Sequence, residues 1–261
     1  MTASSTFTDR ASAILVLLAT GGMIWANYLG ATGVINGVTP ADISERYLTV
    51  VTPANYAFSI WALVYAGLLA FSIYQLLPGN IRKYHRMRAI YIASCILNSA
   101  WIYFWHFERI TLCFAIILTL CVSLFLINRF LRTSKSVGEY WLVNGPFGVY
   151  FGWVTAAMLI NFAVLLASWN IPLTPSAWNT IGVMIVLIAG VLGVFMRIRL
   201  ANYFYPLAIA WALTAIAIKQ SGNTPIVLAA AISVIGCLIA ALSFVLKLPD
   251  SNSRVSINEQ R

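Results

Sequence analysis

The sequence predicts an all-α integral membrane protein of about eight transmembrane helices, with both termini on the inner side. Three observations carry that prediction. The 261-residue chain is 61% hydrophobic and 9% charged, against the roughly 25% charged residues of ordinary soluble domains, and its mean hydropathy is +0.86. The few charges are clustered, and the gaps between clusters match the ~20 apolar residues that a helix needs to cross a bilayer. The basic residues are also distributed unevenly between alternate loops. A cytosolic enzyme and a disordered chain are disfavoured by composition alone.

The spans follow in order from the charges. Asp9 and Arg10 precede a gap that ends at Asp42, Glu45 and Arg46, and a second gap runs to Arg82, Lys83, Arg86 and Arg88. These gaps predict helices over residues 11–30 and 54–77. The first is read as a retained span: its apolar run is longer than a signal-peptide core and lacks a small-x-small cleavage site. Gaps from Arg88 to Glu108 and from Arg109 to Arg129 predict helices over 89–106 and 110–128. The gap after Glu139 is too long for one helix. The turn-rich stretch from Ser168 to Ser176, with Pro172 and Pro175, breaks it into spans over 140–167 and 178–196. Arg199 and Lys219 bracket a span over 201–218, and the last runs over 226–246.

With the N-terminus inside, 13 of the 16 basic residues fall on the inner side and only Arg46, Arg109 and Lys219 on the outer. That is the bias expected of cytoplasmic loops. A miscount of one helix would scramble it. The net charge of +9 is therefore a topology signal, and no nucleic-acid partner is expected.

Catalytic and metal-binding signatures are missing from the sequence. The acids Asp9, Asp42, Glu45, Glu108, Glu139, Asp250 and Glu259 all fall in loops or tails, which argues against ion-coupled transport through buried carboxylates. His85 and His106 each stand alone and are expected to be solvated or interfacial. Cys95, Cys113, Cys121 and Cys237 lie within spans, where cysteine behaves as a small hydrophobe. No Ser/His/Asp set, HExxH motif or phosphate-cradling glycine loop occurs, so no catalytic residue is assigned and no cofactor is required. Gly21, Gly22, Gly182, Gly190, Gly193 and Gly236 are expected to be close-packing positions between helices.

The spans instead carry aromatic and amide residues three or four apart. The second has Asn55, Phe58, Trp61 and Tyr65; the third has Tyr91, Asn98, Trp101 and Trp105; the fifth has Tyr150, Trp153, Ala157 and Asn161. At about 100° per residue each set forms one stripe. By depth, Phe58, Trp61, Asn98, Trp101, Trp105 and Asn161 fall in the outer half of the membrane, together with Trp25, Asn27 and Tyr28, beneath a long outer loop at 31–52 placed to act as a lid. Trp141, Trp169 and Trp178 sit at span ends as interfacial anchors. For Trp61, Trp101 and Trp153, packing and pocket wall are both open readings. Asn98 and Asn161 are equally open between cross-helix hydrogen bonding and ligand contact.

These stripes resemble the TspO/MBR proteins, the tryptophan-rich sensory proteins related to the translocator protein or peripheral benzodiazepine receptor. Pro53, Phe58, Trp61 and Tyr65 in PANYAFSIWALVY resemble the family's second-helix segment. Asn98, Trp101 and Trp105 in LNSAWIYFW resemble its third-helix signature, and Pro146, Tyr150, Trp153, Ala157 and Asn161 in PFGVYFGWVTAAMLIN resemble its fifth. The resemblance covers roughly residues 10–170. It implies a five-helix bundle over 1–170 with a pocket below the first loop, followed here by three further helices over 171–246 and a polar cytoplasmic tail over 247–261.

What the resemblance implies is a membrane-embedded binding or sensory protein, placed in the bacterial cell (inner) membrane. Its ligand would be flat and hydrophobic, a tetrapyrrole such as porphyrin or haem, or a sterol-like molecule, held by Phe58, Trp61, Tyr65, Asn98, Trp101, Trp105, Tyr150, Trp153, Ala157 and Asn161. The expected partners are the lipid bilayer, that ligand and a second copy of the chain in a homodimer. A facilitator of a neutral or amphipathic solute is the alternative, although no inverted repeat relates the halves. Porphyrin degradation is a third reading.

Overall fold

The computed structural model describes residues 7–132 and 136–243, and these form nine α-helices and no strand. They are α1 (Phe7–Ala31), a short α2 (Pro40–Arg46), α3 (Ile60–Tyr74), α4 (His85–His106), α5 (Ile110–Phe130), α6 (Val137–Ser168), α7 (Pro175–Leu200), α8 (Phe204–Lys219) and α9 (Thr224–Leu242). A helix lies within or across each of the eight expected spans, α3 being shorter than the 54–77 expected and residues 244–246 of the last lying outside the described residues. Six of the eight are long and apolar enough to cross a membrane. Of the other two, α4 is diluted by amides, hydroxyls and indoles, and α8 has 16 residues. The 247–261 tail, Lys135 and the two acids Asp250 and Glu259 lie outside the described residues.

The punctuation of the sequence is visible in the helix ends. Helix α6 stops at Ser168, and α7 starts behind Thr174, whose side chain accepts the Ala177 N–H, with Pro175 in the first turn. Asn223 caps α9 in the same way, again ahead of a proline. The second expected span opens as a 3-10 turn, Asn55–Ser59, before α3 begins. Phe58 therefore sits on that turn and not on the helix that carries Trp61 and Tyr65.

Helix α6 is the axis of the bundle. Of its apolar window 72% is buried, against 33–39% for the other five long apolar helices. It packs against α3, α5, α7 and α8, while α1 and α5 flank α4, and α7, α8 and α9 pack on one another. Near its start, residues Tyr140–Asn144 form a π-turn. Pro146 explains it: a proline offers no N–H to Leu142 four residues back and its ring crowds that carbonyl, so the preceding turn widens.

One end of the bundle carries α2, and the opposite end collects the basic residues. Arg88 is buried there, donating from Nε to Gln75 (3.0 Å) and from one terminal nitrogen to the Asp9 carbonyl (2.8 Å) and Ser12 Oγ (2.9 Å), while the other reaches the Ile81 carbonyl. Arg197 stacks on the Tyr203 ring, 3.6 Å from its centroid, and donates to Ser243. Lys83 pairs with Glu139. Three of the basic residues counted for topology, Arg88, Arg197 and Lys83, thus also fasten the bundle together. Tyr84, beside them, has its hydroxyl pushed up to about 12, by burial first and then by neighbouring Tyr74.

Two expectations need correction. His106 is fully buried: Nδ1 lies 2.7 Å from its own helix's Ile102 carbonyl and Nε2 lies 3.1 Å from the Gly30 carbonyl of α1. It links two helices, because the 31–52 loop covers the helix end that the sequence left open to solvent. Gly21 and Gly22 face open space, with nothing within 4 Å of where a methyl group would stand. Gly190 and Gly193 do sit at close helix contacts, against Ser233 and Cys237, and Gly182 lies against both Ile226 of α9 and Val50 of the segment after α2. His85 is exposed, and so are the end tryptophans Trp141 and Trp169.

Candidate ligand-binding site

The lid has its own local logic. Gly33 and Gly37 take positive φ (74° and 69°), as does Asn36 (56°), giving the turns that bring the chain back over the bundle. Thr39 then starts α2 with a capping box. Its backbone N–H donates to Asp42 Oδ2 at 2.7 Å, its hydroxyl accepts from the Asp42 N–H at 3.3 Å, and Pro40 follows in the first turn. The Thr39 backbone and side-chain hydrogen bonds hold the Asp42 carboxyl below its ordinary value. Asn36 donates to the His106 carbonyl at 2.8 Å, and Trp105 Nε1 donates to the Pro40 carbonyl at 3.2 Å. Arg46 (2.5 Å) and Tyr47 (2.9 Å) both bind Glu108, in the α4–α5 turn. Burial, then the Glu108 hydrogen bond, raises the Tyr47 hydroxyl above its ordinary value.

Beneath the lid lie two adjoining spaces. The smaller has a free volume of about 30 Å³ and is lined by Phe58, Trp61, Trp101, Trp105, Trp153, Ala157 and Asn161, with Ser44, Pro53 and Ile160. The larger, about 270 Å³, is lined by Phe58, Trp61 and Tyr65 together with Asn27, Ala31, Thr39, Pro40, Ala41 and Ile102. Phe58 and Trp61 form the wall between them. Seven of the ten expected site residues therefore meet in one cavity, and Tyr65 joins the adjoining one. Asn98 and Tyr150 line neither.

Those two make the polar floor. Asn98 accepts from Asn27 Nδ2 at 2.7 Å and donates to Tyr150 Oη at 3.0 Å, tying α1, α4 and α6 together in the interior. Asn27, which the sequence placed at the right depth but outside the site, thus lines the larger space and anchors its floor. Ser44 was missed as well. A serine in a loop carries no periodicity, and only the fold of α2 turns it inward.

The walls are rings that hold one another. Trp61 stacks on Tyr65 with centroids 5.3 Å apart and planes 11° from parallel, and Trp101 stacks on Trp105 at 5.4 Å and 21°. Trp153 stands edge-on to both Trp61 (6.0 Å) and Phe58 (6.3 Å). Such pairs are favourable beyond simple burial and fix ring orientation. Trp101 Nε1 donates to Asn161 Oδ1 at 3.2 Å, while the Asn161 amide donates back to the Ala157 carbonyl at 2.9 Å. Two polar atoms are left over. Trp153 Nε1 is buried with no hydrogen-bond partner among the described residues, and Tyr65 Oη approaches Asn98 without a well-directed bond.

Chemically this is a neutral, apolar box. No charged side chain lines either space, and among the described residues no group of three or more His, Cys, Asp or Glu could hold a metal. All four cysteines are free thiols. The site offers flat π faces, small-residue relief at Ala157 and a spare indole N–H. It suits binding by stacking with one or two hydrogen bonds.

Comparison with family models gives a match to the TSPO-like protein family across residues 13–244. No curated protein and no solved structure matches the chain.

Proposed function

The chain belongs to the TSPO-like family and is an integral multi-pass membrane protein, and from that premise we propose that it binds a flat hydrophobic ligand, a tetrapyrrole or sterol-like molecule, beneath α2. The observation that carries this reading is the convergence of Phe58, Trp61, Trp101, Trp105 and Trp153 on one uncharged cavity, with the Trp153 N–H lacking a partner. A buried donor left unmade costs ~1–3 kcal/mol, which a ligand acceptor or a water would recover. Trp61, Trp101 and Trp153 are the stacking faces. Asn98, with Tyr150, sets the floor, and Asn161 orients Trp101.

Ligand entry moves part of the wall. Pockets for drug-sized ligands occupy about 300–1,000 Å³, whereas the larger space here is about 270 Å³ and the smaller about 30 Å³. Swinging Phe58 and Trp61 aside merges the two, so these rings act as a gate as well as a surface. In the proposed topology all eight long helices span the bilayer, both termini are inside and the lid is outside, as the 13-to-3 split of basic residues supports. Residues 1–170 then form the binding bundle and 171–246 an added three-helix unit.

The test is titration of the purified protein with protoporphyrin IX, reading quenching of tryptophan fluorescence. The double variant Trp101→Ala/Trp153→Ala should lose saturable quenching altogether; binding equal to the parent would remove the cavity from consideration. The facilitator alternative makes a different prediction, flux of the same probe across proteoliposomes. Both free spaces lie at the lid end of the bundle, which favours binding over passage.

A further inference from the structure

Helices α7–α9 line neither space of the site, yet they grip the segment that closes it. Lys219 at the end of α8 pairs with Glu45 of the lid helix at 2.6 Å. Gln220 donates to the Thr49 carbonyl (3.2 Å) and the Thr52 carbonyl (3.4 Å). The Ala54 N–H donates to the Ala215 carbonyl of α8 at 3.0 Å. Trp211 Nε1 donates to the Ala57 carbonyl at 3.0 Å, and its ring stands edge-on to Tyr56 at 5.3 Å. Val50 packs against Gly182 of α7 so closely that a methyl group there would collide with it. Every one of these contacts falls between residues 45 and 57, the stretch that joins α2 to Phe58.

We propose that α7–α9 are a brace that sets how readily the lid opens, with Lys219, Trp211 and Gly182 as positioning residues for the gate at Phe58. This rests on the reading of the cavity as a ligand site. The lid is strapped on two sides: to α4 and the α4–α5 turn through Asn36, Trp105, Arg46, Tyr47 and Glu108, and to α7 and α8 through the contacts above. The second strap adjoins a groove of about 530 Å³ between Leu48, Thr49 and Val50 on one side and Pro175, Trp178 and Asn179 on the other. Room therefore exists for residues 48–50 to shift once the strap is released. The Lys219–Glu45 pair is a third exposed on both sides, where ion pairs are individually weak. Losing it loosens the lid while leaving the bundle folded. The backbone-directed bonds and the Gly182 notch hold the remainder.

A thiol at Ser44 reads lid opening without any ligand, because Ser44 is buried under α2 and lines the cavity. The full-length Ser44→Cys protein in lipid nanodiscs is reacted with a membrane-impermeant maleimide, with the parent chain as background for the four native cysteines. Lys219→Ala should raise the labelling rate about threefold, the size expected for an exposed ion pair, at an unchanged thermal midpoint. Trp211→Phe, which keeps the ring but loses the N–H, and Gly182→Ala, which pushes on Val50, should raise it further. The exchanged pair Glu45→Lys/Lys219→Glu should bring the rate back toward the parent. Equal labelling in Lys219→Ala and Gly182→Ala, or increases that only track lowered thermal midpoints, would overturn the brace. Stopped-flow release of protoporphyrin IX should accelerate in the same order. If labelling responds but neither parent nor variants quench with protoporphyrin IX, the brace stands and the ligand reading falls.

Discussion

The two parts of this bundle are held together by different chemistry. Around the cavity, α1, α3, α4 and α6 are joined by side-chain hydrogen bonds: Asn27 to Asn98 to Tyr150, Trp101 to Asn161, and Thr20 to both Ser72 and Tyr91, each of the last two at 2.7 Å. Across α7–α9 the interior joints are glycines against neighbouring side chains, Gly190 on Ser233 and Gly193 on Cys237, and the side-chain pairs Asn223–Asn179 and Arg197–Ser243 sit at the two ends. The contrast teaches what each part needs. Helices that surround a space cannot be clamped face to face, so long polar and aromatic side chains reach across and set their distance. Helices that brace need close contact and nothing between them, and small residues permit that.

Enlarging a glycine at a tight crossing should have the largest effect. A methyl group on Gly152 would collide with the Tyr205 carbonyl and lie 2.9 Å from the Ala208 Cβ where α6 meets α8. Gly152→Val should cost ~3 kcal/mol or more, at the upper end of overpacking penalties, seen as a large fall in thermal midpoint in detergent. The same substitution at Gly21, which meets nothing, should change the midpoint little. Equal effects at the two glycines would break the comparison.

Removing a cross-link in the polar half should cost less. Asn98→Ala reduces Asn27 to its bond with the Met23 carbonyl and takes from Tyr150 its Asn98 donor in the interior, for ~1–2 kcal/mol, and should also weaken porphyrin quenching because the floor loses its register. Asn161→Ala should be milder still. It frees only Trp101 Nε1, and a shifted tryptophan emission with a nearly unchanged midpoint is the expected readout.

The smallest effect should be that of pH on the lid. Asp42 is held below 3.8, chiefly by the Thr39 N–H, so its contribution to the cap is complete above that value and is lost as pH falls through the lowered one. Tyr47 is raised above 10.0, so its bond to Glu108 persists until pH climbs beyond that. A polarity-sensitive dye on Ser44→Cys should report a constant environment from about pH 5 to 9 and a red shift only in acid below the ordinary aspartate range, where the lowered Asp42 carboxyl takes up its proton. A transition near neutrality would show that another group governs the lid.

Much of this was legible in the sequence, and the reasons differ by feature. The helices could be read because charge is expensive in lipid, so charged residues mark the ends of spans. The wall of the cavity could be read because Trp101 and Trp105, or Trp153, Ala157 and Asn161, keep a helical rhythm whatever their neighbours do. Asn27 could not be assigned to the floor, since its role depends on the register of α1 against α4. His106 looked interfacial because burial at a helix end is decided by a loop 70 residues earlier, through Asn36. The brace was invisible for the same reason: Lys219 and Glu45 are 174 residues apart, and no local pattern announces a partner at that distance.

The widened turn at Tyr140–Asn144 has an evolutionary side. An extra residue in a helical turn rotates everything beyond it by about 100° relative to the turns before. Trp153, Ala157 and Asn161 lie beyond it, and Glu139, paired with Lys83, lies before it. The angular position of these cavity residues on the central helix therefore depends on one widened turn roughly ten positions away. Deleting one residue from that turn should aim Trp153 at a neighbouring helix and extinguish porphyrin quenching while the overall helix content, by circular dichroism, is retained. Descent with insertions and deletions there would redirect a pocket without altering one of its walls.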